Sequence, residues 1–91
     1  MEIESRVSEN GQWIIVYIDK LLHLRMPRYS AIYSWWDDAR VTAEVTENGI
    51  QEKIITRWFI EFAHDNKNVI IEYTTEEKWQ KVLKELEKKV L

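Results

Sequence analysis

The chain has 91 residues, of which 45% are apolar and 32% are charged, and it contains no cysteine. This length and balance predict a single globular domain over residues 1–91 and exclude a disordered chain, a disulfide framework and a thiolate metal site. The formal net charge of −3 lacks the basic excess that binding to a phosphate backbone requires, so nucleic acid is not expected as a partner.

Neither membrane insertion nor export is expected from the sequence. The most apolar segment, residues 13–26, is interrupted by charged residues and is shorter than the ~20 apolar residues of a membrane span. The acidic start MEIESRVSE differs from the basic start and apolar run of a signal peptide. We therefore predict a cytoplasmic protein without a transmembrane segment and leave open a peripheral contact with a membrane surface.

Both glycines of the chain close the same phrase, Val-(Ser/Thr)-Glu-Asn-Gly, which ends at Gly11 and again at Gly49. An Asn-Gly pair between alternating apolar runs predicts a β-hairpin, because both residue types tolerate the positive φ angles of a type I′ turn. Counting outward from the first turn pairs Val7 with Ile14 and places the apolar residues of both strands on one face.

The second Asn-Gly phrase predicts a second hairpin in the same way. Counting outward from it places Glu44 opposite Lys53, so that opposite charges face each other across the strands. A long alternating strand follows, and pairing Phe62 with Val69 gives it a continuous apolar seam with the next strand. The residues between these two strands, AHDNKN, are expected to form the connecting loop.

The region between the two hairpins permits two interpretations. Residues 21–26 form a third strand after a bend at Asp19-Lys20, with Pro27 ending the pairing because proline donates no ladder bond. Alternatively, residues 12–26 form a helix. The β-branched residues of this region favour strands, but periodicity alone leaves both interpretations open.

The C-terminal residues, from about 75 to 90, show the clearest pattern. Thr74 and Glu77 have the spacing of a capping box, which predicts the start of a helix. Acidic residues lie in the first turn and basic residues in the last, as the helix dipole favours. An apolar stripe along this helix is expected to dock on the strands. The stripe consists of Trp79, Val82, Leu83, Leu86 and Val90.

Together these elements predict a mainly β domain: an antiparallel β sandwich or split barrel of six to seven strands over about residues 2–74, followed by one C-terminal α-helix. An α+β domain, with an N-terminal helix, an antiparallel meander and a C-terminal helix, is the alternative.

Two segments resemble the short bacterial type of pleckstrin-homology-like (PH-like) domain. MPRYSAI at 26–32 is similar to the Ile-Pro-Tyr-Ser-x-Ile phrase of those domains, and the stretch from RWFIEF to KVLKEL at 57–86 is similar to their last strands and helix. In length and arrangement the chain is also similar to small sublancin-immunity-type proteins. The resemblance implies a non-catalytic binding module with an immunity or modulator role.

No residue pattern predicts catalysis, and we expect the protein not to be an enzyme. His23 and His64 have no neighbour at metal-ligand spacing, so neither a metal nor a cofactor is expected. The pair His64-Asp65 would suit a small hydrolase, which is the least favoured function. Asp37-Asp38 is interpreted as a turn or bulge between strands rather than as a pair of catalytic acids.

The aromatic residues are the main functional signal, because five tryptophans are more than one small core is expected to bury. Trp58 and Trp79 fit the core by their pattern. Adjacent residues point to opposite faces of a strand, so one of Trp35 and Trp36 should be exposed. A protein partner or a membrane surface is the expected contact, with a homodimeric assembly element as the alternative function. The candidate binding residues are Trp13, Tyr33, Trp35 and Trp36.

Overall fold

A computed structural model gives the fold, and it describes the backbone of residues 1–91 and the side chains of residues 1–38 and 42–91. The regular structure of this described part is two antiparallel three-stranded sheets and one helix, which confirms the predicted mainly β fold with a C-terminal helix. The first sheet has the order β1-β2-β3 and the second β4-β5-β6. The elements are β1 (Ile3–Val7), β2 (Trp13–Ile18), β3 (Leu21–Pro27), β4 (Ile32–Thr46), β5 (Gly49–His64), β6 (Lys67–Tyr73) and α1 (Glu76–Lys89).

The region with two interpretations is β-structure, and the alternative helix over residues 12–26 is wrong. Strands β2 and β3 pair antiparallel, and β1 pairs with β2 in the predicted register, with Val7 opposite Ile14. The reversal between β2 and β3 consists of Asp19 and Lys20, whose φ angles are 48° and 67°. Positive φ at two successive central residues is the mark of a type I′ hairpin, whose twist matches that of the strands.

Both Asn-Gly phrases form reversals, but the predicted type I′ turns are wrong. In the described backbone of each phrase the positive φ angle belongs to the glycine, 72° at Gly11 and 106° at Gly49, and not to the asparagine. The Gly11 amide donates to the Ser8 carbonyl at 2.9 Å, which closes a turn centred on Glu-Asn, and Gly49 pairs with Thr46 across an equivalent turn. The glycine supplies the left-handed residue that follows the turn.

The changed turn moves the second hairpin out of its predicted register by two residues. Because Gly49 pairs with Thr46, Lys53 lies opposite Thr42 and the predicted pair of Glu44 with Lys53 is wrong. The predicted pair followed from the assumed type I′ turn at Asn48-Gly49. Its charge contact is worth less than about 1 kcal/mol and cannot override the geometry of the turn that forms.

Elsewhere in the second sheet the structure agrees more closely with the predictions. The register of β4 against β5 shifts after Asp37, so the bulge predicted at Asp37-Asp38 is confirmed. Phe62 pairs with Val69 as predicted. The predicted six-residue loop is wrong, since Asp65 and Asn66 alone separate β5 from β6 in the described backbone, with φ angles of 50° and 60°.

Helix α1 begins one residue later than predicted. The N-cap is Thr75, whose Oγ1 accepts a hydrogen bond from the Lys78 amide at 3.4 Å, so the capping box of Thr74 with Glu77 is wrong. The predicted apolar stripe is confirmed, and it faces the strands. Its buried members are Trp79, Val82 and Leu86, and Leu83 and Val90 pack partly buried against them.

The core lies between the two sheets and the helix, and the helix contacts both sheets. Near its start, Trp79 Nε1 donates to the Phe59 carbonyl of β5 at 2.9 Å. Near its end, the Glu85 carboxylate accepts from the Ser5 hydroxyl of β1 at 3.0 Å. The fully buried side chains are Ile14, Val16, Met26, Ile60, Val82 and Leu86.

The distal part of the β4–β5 hairpin projects from this core. Strand β6 pairs with residues 58–64 of β5, so residues 42–55, which we call the arm, form a ribbon of two strands. The radius of gyration is 16.4 Å, whereas a compact domain of this length has about 12 Å. One face of the arm is apolar and exposed: Val45 is 87% exposed, Ile50 74% and Ile54 65%.

Candidate binding site

Strand β4 presents three of the four candidate residues on two opposite faces. Tyr33 and Trp35 share the outer face of the second sheet, and Trp36 lies on the face toward the helix, because side chains alternate along a strand. Tyr33 and Trp36 are each 62% exposed, whereas Trp35 is half-buried. The exposure expected of one of the two adjacent tryptophans is therefore found at Trp36.

On the outer face, Trp35 is held by residues of its own chain. Its ring stacks on Phe59 with centroids 5.1 Å apart and an angle of 18° between the planes. The Arg57 guanidinium lies 5.3 Å from the Phe59 ring and pairs with Asp37 at 3.0 Å and with Glu72 at 3.5 Å. This network covers much of the aromatic surface, which makes Trp35 a poor contact residue.

Trp13 does not join the other candidates. It lies on β2 of the first sheet, where the Arg25 guanidinium covers its ring at 4.4 Å from the centroid. The His64 ring meets it edge-on at 5.2 Å. Because a half-buried ring makes both of these contacts within its own chain, they indicate a packing role for Trp13.

The face toward the helix carries a cleft that the sequence did not predict. Trp36 pairs with Trp58 across β4 and β5, and Trp79 of α1 approaches Trp36 with ring centroids 6.5 Å apart and an angle of 76°. These three rings, together with four polar side chains at the rim, enclose a cleft of about 370 Å³. The polar residues of the rim are Asp38, Thr56, Glu76 and Gln80.

The proposed hydrolase pair lies at a hairpin turn. His64 Nε2 is 3.4 Å from the carboxylate of Asp65, whose side chain is exposed. A solvated contact between neighbours in a two-residue turn is common and weak. The His64 ring is also occupied by its contact with Trp13, so this geometry gives the hydrolase hypothesis no support.

The other histidine forms a structural contact between the two sheets. His23 Nε2 lies 2.6 Å from the Tyr73 hydroxyl. Burial, with the nearby charge of Lys78, holds the pKa of His23 below its ordinary value, and burial raises the pKa of Tyr73. Near neutral pH an uncharged His23 and a protonated Tyr73 therefore share this hydrogen bond, which links β3 to β6.

Comparisons with known proteins find no match among family models, curated proteins or solved structures. The resemblance to PH-like domains therefore stays a prediction. Within the described residues no helix is long and apolar enough to cross a membrane. The fold and site define a class in physical terms: an antiparallel β domain with a tryptophan-lined acidic cleft and a projecting two-stranded arm.

Proposed function

We propose that the protein is a non-catalytic binding module that acts by stoichiometric contact with a protein partner through the surface around Trp36. The observation that carries the proposal is the 62% exposure of Trp36 at the mouth of the cleft. Tryptophan dominates the energetics of protein interfaces because it combines a large apolar ring with a polar N–H group. An immunity or modulator role, which the PH-like resemblance implies, is one form of such contact.

The charges around Trp36 favour a protein over a membrane surface as the partner. The rim of the cleft carries the carboxylates of Asp38 and Glu76, and no basic side chain lies among its described lining residues. Cytoplasmic membrane surfaces are negatively charged and attract basic segments. An acidic rim on a chain with a net charge of −3 would be repelled by such a surface.

Replacing Trp36 with alanine is expected to abolish partner capture without unfolding the protein. The ring is mostly exposed, so its loss should change the free energy of unfolding by less than about 1 kcal/mol. The measurement is quantitative affinity capture from an extract of the native host, beside thermal melts of both proteins. Tyr29→Ala removes another exposed aromatic ring away from the cleft and should capture the partner normally. Equal capture of the same partner by Trp36→Ala would refute the proposed surface.

The arm supports a second candidate function, a homodimeric assembly element. A hairpin of two strands is marginally stable in water unless an apolar face is covered, and here Val45, Ile50 and Ile54 are exposed on one face. The strand edges along the arm also lack the third strand that β6 provides nearer the core, and such edges readily pair with another chain.

Sedimentation across a wide concentration range tests the homodimer. The wild type is expected to shift from monomer to dimer as its concentration rises, and Ile50→Lys is expected to stay monomeric, because a charge on the apolar face disfavours its burial. Lys53→Ala on the opposite face serves as a control that should still dimerise. A wild type that remains monomeric throughout removes this candidate.

A further inference from the structure

The cleft beneath Trp36 combines aromatic walls with a negative rim. The Trp36 and Trp79 rings are nearly perpendicular to each other, and Trp58 lines the cleft with them. Trp79 Nε1 already donates to the Phe59 carbonyl, so this tryptophan offers its ring rather than its polar group to a ligand. At about 370 Å³ the cleft lies near the lower limit for ligand pockets, which suits one side chain rather than a large molecule.

Each of the two carboxylates at the rim is held by a hydrogen bond and can still accept further hydrogen bonds. Asp38 Oδ1 accepts a hydrogen bond from the Thr56 hydroxyl at 2.6 Å, and Glu76 Oε1 accepts one from Gln80 Nε2 at 3.2 Å. A carboxylate has about four acceptor positions, so each retains capacity for a further donor. Both bonds come from neutral groups, and among the described side chains no basic group forms an ion pair with either carboxylate.

Aromatic faces beside carboxylates favour the binding of an organic cation over the binding of other ligands. The negative face of an indole ring attracts a cation, and a planar guanidinium can stack on the ring while donating to a carboxylate. An anion would be repelled by Asp38 and Glu76. The positive end of the α1 dipole opposes a cation, but this effect is confined to the first turn, where Glu76 and Glu77 offset it.

Contacts between an arginine and an aromatic ring occur three times among the described side chains. Arginine side chains cover Trp13, Tyr17 and Phe59, with guanidinium carbons 4.4, 5.9 and 5.3 Å from the ring centroids. Among the described side chains, no arginine or lysine covers Trp36 in this way. Within the described part of the chain, Trp36 is thus an exposed ring beside acidic groups without the arginine contact that Trp13, Tyr17 and Phe59 have.

We propose that the cleft binds an arginine side chain of the protein partner, with its guanidinium between Trp36 and the carboxylates of Asp38 and Glu76. The inference rests on the proposed function, because it names the chemistry by which that partner is recognised. The partner therefore presents an exposed arginine, and the contact weakens as the salt concentration rises.

The test uses the full chain and the N-acetylated, C-amidated tripeptide Gly-Arg-Gly as probe, followed by the indole N–H signals in nitrogen-15 NMR spectra. Saturable shifts of the Trp36 signal, with weak millimolar affinity, are expected. Asp38→Asn should weaken binding by about fivefold, since it removes the charge while keeping an acceptor for Thr56. Asp65→Asn, the same change at a distant turn, should leave the affinity unchanged.

Three results would overturn the inference: no saturable shift up to tens of millimolar peptide, an equal response to the tripeptide Gly-Gln-Gly, or unchanged affinity in Asp38→Asn. Phosphatidylcholine vesicles that shift the Trp36 signal where the arginine peptide does not would also overturn it, in favour of a lipid headgroup. Failure here is distinguishable from failure of the proposed function. If Trp36→Ala loses the captured partner while Asp38→Asn keeps it, the contact surface stands and its arginine chemistry does not.

Discussion

Replacement of Trp79 by alanine is expected to lower the free energy of unfolding by about 3 to 5 kcal/mol, a large share of the stability of a domain this small. Trp79 is buried at the start of α1, and its Nε1 bond to the Phe59 carbonyl fixes the helix on the second sheet. The substitution removes the packed ring and leaves a cavity that the neighbouring strands can only partly close. Urea unfolding followed by circular dichroism measures the loss.

Two further variants separate the causes of that loss. Trp79→Phe keeps an aromatic ring but removes the Nε1 group that donates to the Phe59 carbonyl, so an intermediate loss of about 1 to 3 kcal/mol is expected. Lys84→Ala changes an exposed position of the same helix and should stay within about 0.5 kcal/mol of the wild type. A Trp79→Ala protein as stable as the Lys84→Ala control would show that α1 is not anchored at this residue.

Much of the fold could be predicted from the sequence because its local signals are physical constraints on burial. Alternating apolar residues fixed the register of β1 with β2 and of β5 with β6, where a shift by one residue would expose the apolar face. The helix stripe was equally clear. The register of β4 with β5 was not predictable in this way, because Val45, Ile50 and Ile54 in the arm are exposed and no burial selects one pairing over another.

The type of turn at the two glycines was also not predictable, because the local sequence suits more than one turn. Asn-Gly suits a type I′ turn, but Glu-Asn-Gly equally suits a turn centred on Glu-Asn with the glycine after it. The successive positive φ angles of a type I′ turn occur instead at Asp19-Lys20 and at Asp65-Asn66, neither of which contains glycine. Asp19, Asp65 and Asn66 are of types that tolerate positive φ, but lysine seldom adopts it, so propensity does not select Lys20. The short connection between the paired strands β2 and β3 imposes the conformation at Lys20.

The cleft was missed because of the error in register. The predicted count does not place Trp36 opposite Trp58, so no pattern in the sequence brings these two rings together. With the turn at Gly49 and the bulge after Asp37 both in place, the pairing of Trp36 with Trp58 follows. The sequence predicts that one of Trp35 and Trp36 is exposed but does not say which, whereas the ligand chemistry also depends on the residues that α1 contributes to the rim of the cleft.

Replacement of Leu86 by alanine is expected to cost about 2 to 5 kcal/mol and to destabilise both sheets together. Leu86 is fully buried near the end of α1, where Glu85 accepts from Ser5 of the first sheet, while the start of the helix is fixed to the second sheet. Since one helix covers both sheets over a shared core, loosening its C-terminal end removes support common to the two. The domain should then unfold as one cooperative unit.

Hydrogen exchange at two buried strand residues tests this coupling. The amides of Val16 in β2 and Ile60 in β5 should lose protection by the same factor in Leu86→Ala, because global unfolding would then govern both. Glu87→Ala, an exposed change one position further along, should leave both rates close to those of the wild type. If the Val16 amide loses protection while the Ile60 amide keeps it, the first sheet unfolds separately from the second. The two sheets would then not form one cooperative unit through α1.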